Sequence, residues 1–196
     1  MATTDGTDLL GQAFALLAER GWRRFSFAEL ARRTGMGLAE VYAELPGRLA
    51  LLPALGRRLD REMLGLDLAE LDGMTPRERM FELIMRRLDA MGPYKDGLRV
   101  LARASRHRPA VLRAACCNLD RLGRRLLDAA AEQPPVCAGL ARRGVQLVYL
   151  CTLRVWLDDD SPDMARTLAE LDRRLQQAET AARWFDGSGR GRTAPA

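Results

Sequence analysis

Apolar positions recur every three to four residues along nearly the whole chain, and no alternating run of β-branched residues bounded by tight turns interrupts them. The pattern predicts an all-α protein. Leu9, Leu10, Ala13, Phe14 and Leu17 line one face of a first helix that ends at Gly21, in a C-cap position. Two short helices and a longer one over about 47–64 follow. The stretch 66–74, with Gly65, Gly73 and three acids, reads as a weak link and the main boundary in the chain. Beyond it, Thr75, Pro76 and Glu78 supply an N-cap, a first-turn proline and a capping-box partner for a helix over about 76–91.

Gly92 and Pro93 end that helix, a shorter one runs over about 94–106, and Pro109 restarts the chain. The next helix carries Leu112, Cys116, Leu119, Leu126 and Leu127 as inward positions and closes at Pro134 and Pro135. A strongly apolar helix over about 136–157 comes next. Ser161 and Pro162 then cap a last helix over about 162–184, before a Gly-rich tail over 187–196 that is expected to be disordered.

Composition narrows the class. With 196 residues, 47% hydrophobic and 29% charged, the chain has enough apolar material for a core, which excludes intrinsic disorder for most of its length. No apolar run approaches the roughly 18–20 residues that cross a bilayer, and the start MATTDGTDLL lacks the basic and apolar regions of a secretory signal, so a cytoplasmic protein is expected. The net charge of +5 supports only a weak preference for anions. Cys116, Cys117, Cys137 and Cys151 show no CxxC or Cys/His spacing, so neither a metal site nor a disulfide framework is expected, and they read as reduced core thiols. Nor is any other cofactor implied.

The run FSFAELARRTGMGLAEVYAELPGRLALL carries the most information. Ser26 can cap a short helix whose inner face is Phe27, Leu30 and Ala31. Thr34, Gly35 and Met36 make a tight turn, and Leu38, Val41 and Leu45 give the inner face of a second short helix. Small Ala31 permits close helix approach, and Gly35 supplies a left-handed backbone that strains any residue bearing a Cβ. This is helix-turn-helix spacing.

A first helix ending ERGW, the F-x-x-x-E-L-A-x-x-x-G-M pattern, Val41-Tyr42 and Leu45-Pro46 together resemble the N-terminal domain of the TetR family of one-component transcriptional regulators, over about residues 7–64. The resemblance implies a helix-turn-helix DNA-binding domain with its linker helix over 1–64 and a helical ligand-binding and dimerisation domain over 65–186. It further implies a homodimer that binds a double-stranded DNA operator. Carried across by position, Tyr42 and Arg48 fall where such proteins contact phosphate, and Ser26 can contribute an amide or hydroxyl. The reading surface of the second short helix falls on Gly37, Leu38, Ala39, Glu40, Tyr42 and Ala43. Here the chain departs from the family's pattern. Glu40 and Glu44 would present two carboxylates to a polyanion, and the first 60 residues hold eight Arg against seven acids.

A second resemblance covers RRLDAMGPYKDGLRVL and DDDSPDMARTLAELDRRL, with Ser161, Pro162, Asp163, Thr167, Leu171 and Arg174. These are similar to the lipid-binding accessory family of ubiquinone biosynthesis, which shares the TetR-type fold but does not bind operators. Ser-Pro-Asp is also simply a good helix start. Both resemblances imply a small hydrophobic or lipid-like ligand held among Phe81, Ile84, Met85, Leu88, Tyr94, Leu98, Leu101, Leu147, Tyr149, Leu150 and Trp156. Helical spacing explains the same positions equally well as ordinary core.

Enzymatic chemistry finds no support. The single His107 sits at a helix end beside Arg and Pro, and there is no phosphate loop, nucleophile elbow or local Cys-His pairing. The acidic run at 158–160 reads as a solvated linker favouring the helix that follows.

Overall fold

A computed structural model describes residues 8–130 and 137–189, apart from the side chains of Leu68 and of residues 182–189. The described chain is helical, with α1 Leu9–Arg24, α2 Phe27–Thr34, α3 Leu38–Glu44, α4 Leu51–Leu64, α5 Pro76–Met91, α6 Lys95–Ser105, α7 Pro109–Ala130, α8 Ala138–Asp158 and α9 Ala165–Gly189. No strand interrupts the described residues. The helix break expected at Pro134 and Pro135 lies outside them. Continuing through Gly189, α9 runs three residues into the expected tail, whose remainder also lies outside.

Local signals set the element ends. Gly21, at φ 73°, breaks the regular conformation of α1. Thr75 and Glu78 close the capping box as expected. The Glu78 amide donates to Thr75 Oγ1 at 3.3 Å, and the Thr75 amide and hydroxyl both donate to Glu78 Oε2 at 2.8 Å, which draws the Glu78 carboxyl below its ordinary range. The weak link contains a short 3-10 turn, Leu68–Leu71, capped by Asp67. The last helix begins later than the sequence signals, after Met164 at φ 49°.

The chain forms two compact units, and neither is contiguous in sequence. The first comprises residues 1–61 and 89–119. Its core includes Ala13, Phe14, Leu16, Leu17, Leu30, Val41, Leu51, Leu55 and Leu101. Residues 89–119, which the sequence places beyond the boundary, cluster here because α6 packs on α1. Tyr94 meets Phe14 edge-on, with centroids 5.4 Å apart, and Gly97 presses against the same phenylalanine.

The second unit comprises residues 62–88 and 120–196. Its core gathers Met63, Leu83, Ile84, Leu88, Leu122, Leu126, Trp156 and Leu171. Asp158 and Asp160 of the acidic run are exposed as expected, but Asp159 departs from the sequence reading. Asp159 is only 2% exposed, and its carboxylate accepts from Ser161 Oγ at 2.5 Å, Thr167 Oγ1 at 2.7 Å and the Thr167 amide at 3.0 Å. It is a buried pin between the end of α8 and the first turn of α9, not a solvated linker residue. The Ser161 and Thr167 hydroxyls hold its carboxyl well below the usual carboxylate range.

The cysteines also differ from expectation. Cys116, Cys117 and Cys137 are exposed and Cys151 is half-buried; all four are free. The inward choice of Cys116, and of Leu112 beside it, fails because the buried stripe of α7 runs instead through Val111, Leu122, Leu126 and Ala130.

Candidate nucleic-acid interface

In the first unit, α2 and α3 meet across a turn that the sequence builds from local parts. Ser26 is extended, at φ −129°, and its Oγ accepts the Glu29 amide at 3.4 Å, capping α2. Thr34 is buried and donates its hydroxyl to the Leu30 carbonyl at 3.0 Å. Gly35 then adopts φ 69°, ψ 7°, the left-handed C-cap that reverses the chain. Val41 and Leu45 seat α3 on the core as expected. Leu38 does not join them: as the first residue of α3, it stands exposed.

The exposed surface of α3 contains Gly37, Leu38, Ala39, Glu40, Tyr42, Ala43 and Glu44, so the predicted reading residues do share an accessible surface. Tyr42 is 46% exposed, and its ring lies on Phe27 with centroids 4.9 Å apart at 31°. That contact fixes the direction of the phenol from α2. Glu40 has a local role the sequence reading missed. Its Oε2 accepts the Gly37 amide at 2.8 Å, so the carboxylate folds back on the start of its own helix. Glu44, in the last turn, faces solvent.

Arg48 lies in the short turn Arg48–Ala50 ahead of α4 and is half-buried. It donates to the Trp22 carbonyl at 2.8 Å, linking the start of α4 to the end of α1. Arg33 binds Glu19 through two nitrogens, at 2.8 and 2.5 Å, and Arg20 meets Glu29 at 2.9 Å. These hydrogen bonds draw the Glu19 and Glu29 carboxyls below their ordinary range and raise Arg33. With Arg58 on Asp8 at 2.5 Å, three of the eight arginines in the first 60 residues are therefore already matched with carboxylates. Arg23, Arg24, Arg32 and Arg57 are exposed.

The predicted ligand residues divide between the two units. Phe81, Ile84, Met85, Leu88, Tyr149 and Trp156 belong to the second, where all but half-buried Phe81 are buried. Tyr94, Leu98 and Leu101 belong to the first, and Tyr94 packs on Phe14 there. Leu147, 61% exposed, and Leu150 stand on the open surface of α8 and line no interior of the isolated chain.

Sequence reading named no polar group among the apolar ones, yet Arg87 is 1% exposed. Its Nε donates to Tyr149 Oη at 3.3 Å, and its guanidinium carbon lies 6.0 Å from the Tyr149 ring centroid. An arginine in the polar stripe of an amphipathic helix gives no sign of such burial. Among the described residues no helix is long and apolar enough to cross a membrane, and no group of three or more His, Cys, Asp and Glu side chains could hold a metal ion.

No curated protein matches the sequence. The COQ9 family profile matches residues 141–182, which span most of α8, the Asp159 pin and much of α9. Among solved structures, the chain is similar to the TetR transcriptional regulator from Nitrosomonas europaea ATCC 19718, with a TM-score of 0.74 and 23% identity, covering 87% of this chain and 95% of that one. A TetR transcriptional regulator from Rhodococcus sp. RHA1 gives 0.62 and 17%, covering 87% and 92%. A further transcriptional regulator from Rhodococcus sp. Rha1 gives 0.57 and 19%, covering 91% and 97%. Together with the helix order and the turn at Gly35, these likenesses establish that the chain has the all-α fold of TetR-type regulators.

Proposed function

We propose that the chain is a DNA-binding transcriptional regulator, a cytoplasmic homodimer whose α3 helices enter successive major grooves of a pseudo-palindromic operator. The observation that carries this reading is the α2–Gly35–α3 geometry, with Tyr42 buttressed by Phe27 and left accessible. Ser26 and Tyr42 serve as phosphate contacts. Arg48 orients the start of α4 through Trp22 as well as contributing positive charge. Exposed Leu140, Leu147 and Leu150 on α8 support a dimer formed through α8 and α9.

A small hydrophobic effector in the second unit, among Phe81, Ile84, Met85, Leu88, Tyr149 and Trp156, acts by binding the DNA-competent and incompetent states unequally. The outcome is repression relieved by ligand. Fluorescence anisotropy with duplex DNA from upstream of the chain's own gene, at about 50 and 200 mM salt, tests the reading. Specific binding that weakens at the higher salt supports it, and no specific binding at the lower salt contradicts it.

A second reading has one observation in its favour, the COQ9 match across α8 and α9. On that reading the chain is a lipid-binding accessory protein of the ubiquinone-biosynthesis type that binds no operator. Solvent extraction of the purified protein followed by mass spectrometry tests it. A stoichiometric isoprenoid or acyl lipid in a protein that does not bind duplex DNA supports this alternative, and lipid-free protein contradicts it.

A further inference from the structure

The first unit is far more basic than its N-terminal segment. Residues 1–61 and 89–119 hold fifteen Arg and Lys against nine Asp and Glu, a balance of +6, whereas the second unit holds sixteen against seventeen, a balance of −1. Much of the excess comes from one place. Between Gly97 and Leu119 there are five arginines, Arg99, Arg103, Arg106, Arg108 and Arg113, with His107 and no acidic residue. They surround the corner where α6 ends at Ser105 and α7 begins at Pro109. Arg103, Arg106, His107 and Arg113 are exposed; Arg99 is turned toward Asp96 at 2.9 Å. Packing of Gly97 and Tyr94 on Phe14 makes this corner part of the same compact unit as the helix-turn-helix.

We infer that the α6–α7 corner is a second, sequence-independent DNA contact, in which Arg103, Arg106 and Arg113 bind backbone phosphates. The inference rests on the DNA-binding reading above and supplies what α3 lacks. That helix brings Glu40 and Glu44 and no cation, and Arg20 and Arg33 are matched internally. Three exposed guanidiniums free of neighbouring carboxylates in sequence suit phosphate, to which each donates in a planar fork. Contacts of this kind raise affinity for any duplex and leave base preference to α3.

The test is the salt dependence of binding to a mixed-sequence duplex of about 30 base pairs, since each neutralised phosphate contributes about 0.9 to the slope of log affinity against log salt. The variants are the triple Arg103→Gln, Arg106→Gln, Arg113→Gln and its Arg→Lys counterpart. Circular dichroism and urea unfolding establish that both are folded. The expected result is a slope smaller by about 2–3 for each protomer on the duplex, hence by about 5 for the dimer, in the glutamine variant and a slope near wild type for the lysine variant. Wild-type binding with an unchanged glutamine-variant slope overturns this inference and leaves the regulator reading standing. A wild type that binds no duplex overturns both. Arginine-dependent binding to vesicles of phosphatidylcholine with about 30% phosphatidylglycerol, without duplex binding, would also overturn it and make a membrane the partner of this corner.

Discussion

Gly97 lies so close to Phe14 that a Cβ placed on it would stand 2.7 Å from Phe14 Cδ1 and 2.8 Å from the Phe14 carbonyl oxygen. This contact joins α6 to α1, and through it the basic corner becomes part of the helix-turn-helix unit. A backbone oxygen cannot move aside as a side-chain end can. Gly97→Ala should therefore destabilise the protein by about 1–3 kcal/mol, the range for overpacking a filled core. Gly56 in α4 provides the control. Its added Cβ meets Asn118 Oδ1 at 2.0 Å, but that atom ends a rotatable side chain. Gly56→Ala should fall within about 1 kcal/mol of wild type, because the helix propensity gained offsets the adjustment. Urea unfolding of both variants checks the contrast.

Gly35 offers a purely conformational test. Nothing lies within 4 Å of a Cβ placed there, yet φ is 69°. Gly35→Ala should cost about 1–2 kcal/mol through the left-handed backbone alone, and Gly35→Asn should cost less. An alanine variant as stable as wild type would mean that the α2–α3 turn is not held in this conformation.

The two glutamates of α3 should behave differently. Glu40 is tied to the Gly37 amide, whereas Glu44 faces solvent near the end of the helix. Glu44→Gln should raise duplex affinity several-fold at low salt by removing repulsion from the phosphates. Glu40→Ala should instead loosen the start of α3, costing about 1 kcal/mol in the manner of a lost cap. Anisotropy titrations and unfolding curves on the two variants separate these effects.

Asp159 gives a pH signature. Because its carboxyl is held below the ordinary range in the folded protein, its contribution is complete above the unfolded value near 3.9 and is lost as pH falls toward the lower folded value. The stability gap between wild type and Asp159→Asn should be constant from about pH 7 to 5 and shrink below about pH 4. Asp159→Ala, which leaves the Thr167 amide and hydroxyl without this acceptor, should cost about 3 kcal/mol at neutral pH. A gap that changes between pH 7 and 5 would point to a different titrating group.

What the sequence disclosed was local chemistry. Ser26, Gly35 and the Thr75–Glu78 box act over one turn of chain, so their residue types alone specify the caps and the reversal. Features decided by distant partners stayed hidden. Arg103, Arg106 and Arg113 read as part of the second domain because the contact that draws them to α1 spans about eighty residues, from Phe14 to Gly97. Asp159 read as solvated because its decisive donors sit at Thr167, eight positions along, beyond a turn. Leu38 fitted the inner periodicity of α3, but a seven-residue helix turns its first residue past the edge of the contact.

Recognition of duplex DNA by α2 and α3 can be measured by repeated selection of bound duplexes from a random-sequence library, followed by sequencing. The wild-type protein should enrich a pseudo-palindromic sequence, and a folded Tyr42→Ala variant should lose that enrichment. A wild-type protein that retains duplexes without enriching any sequence, or retains none, would contradict such recognition.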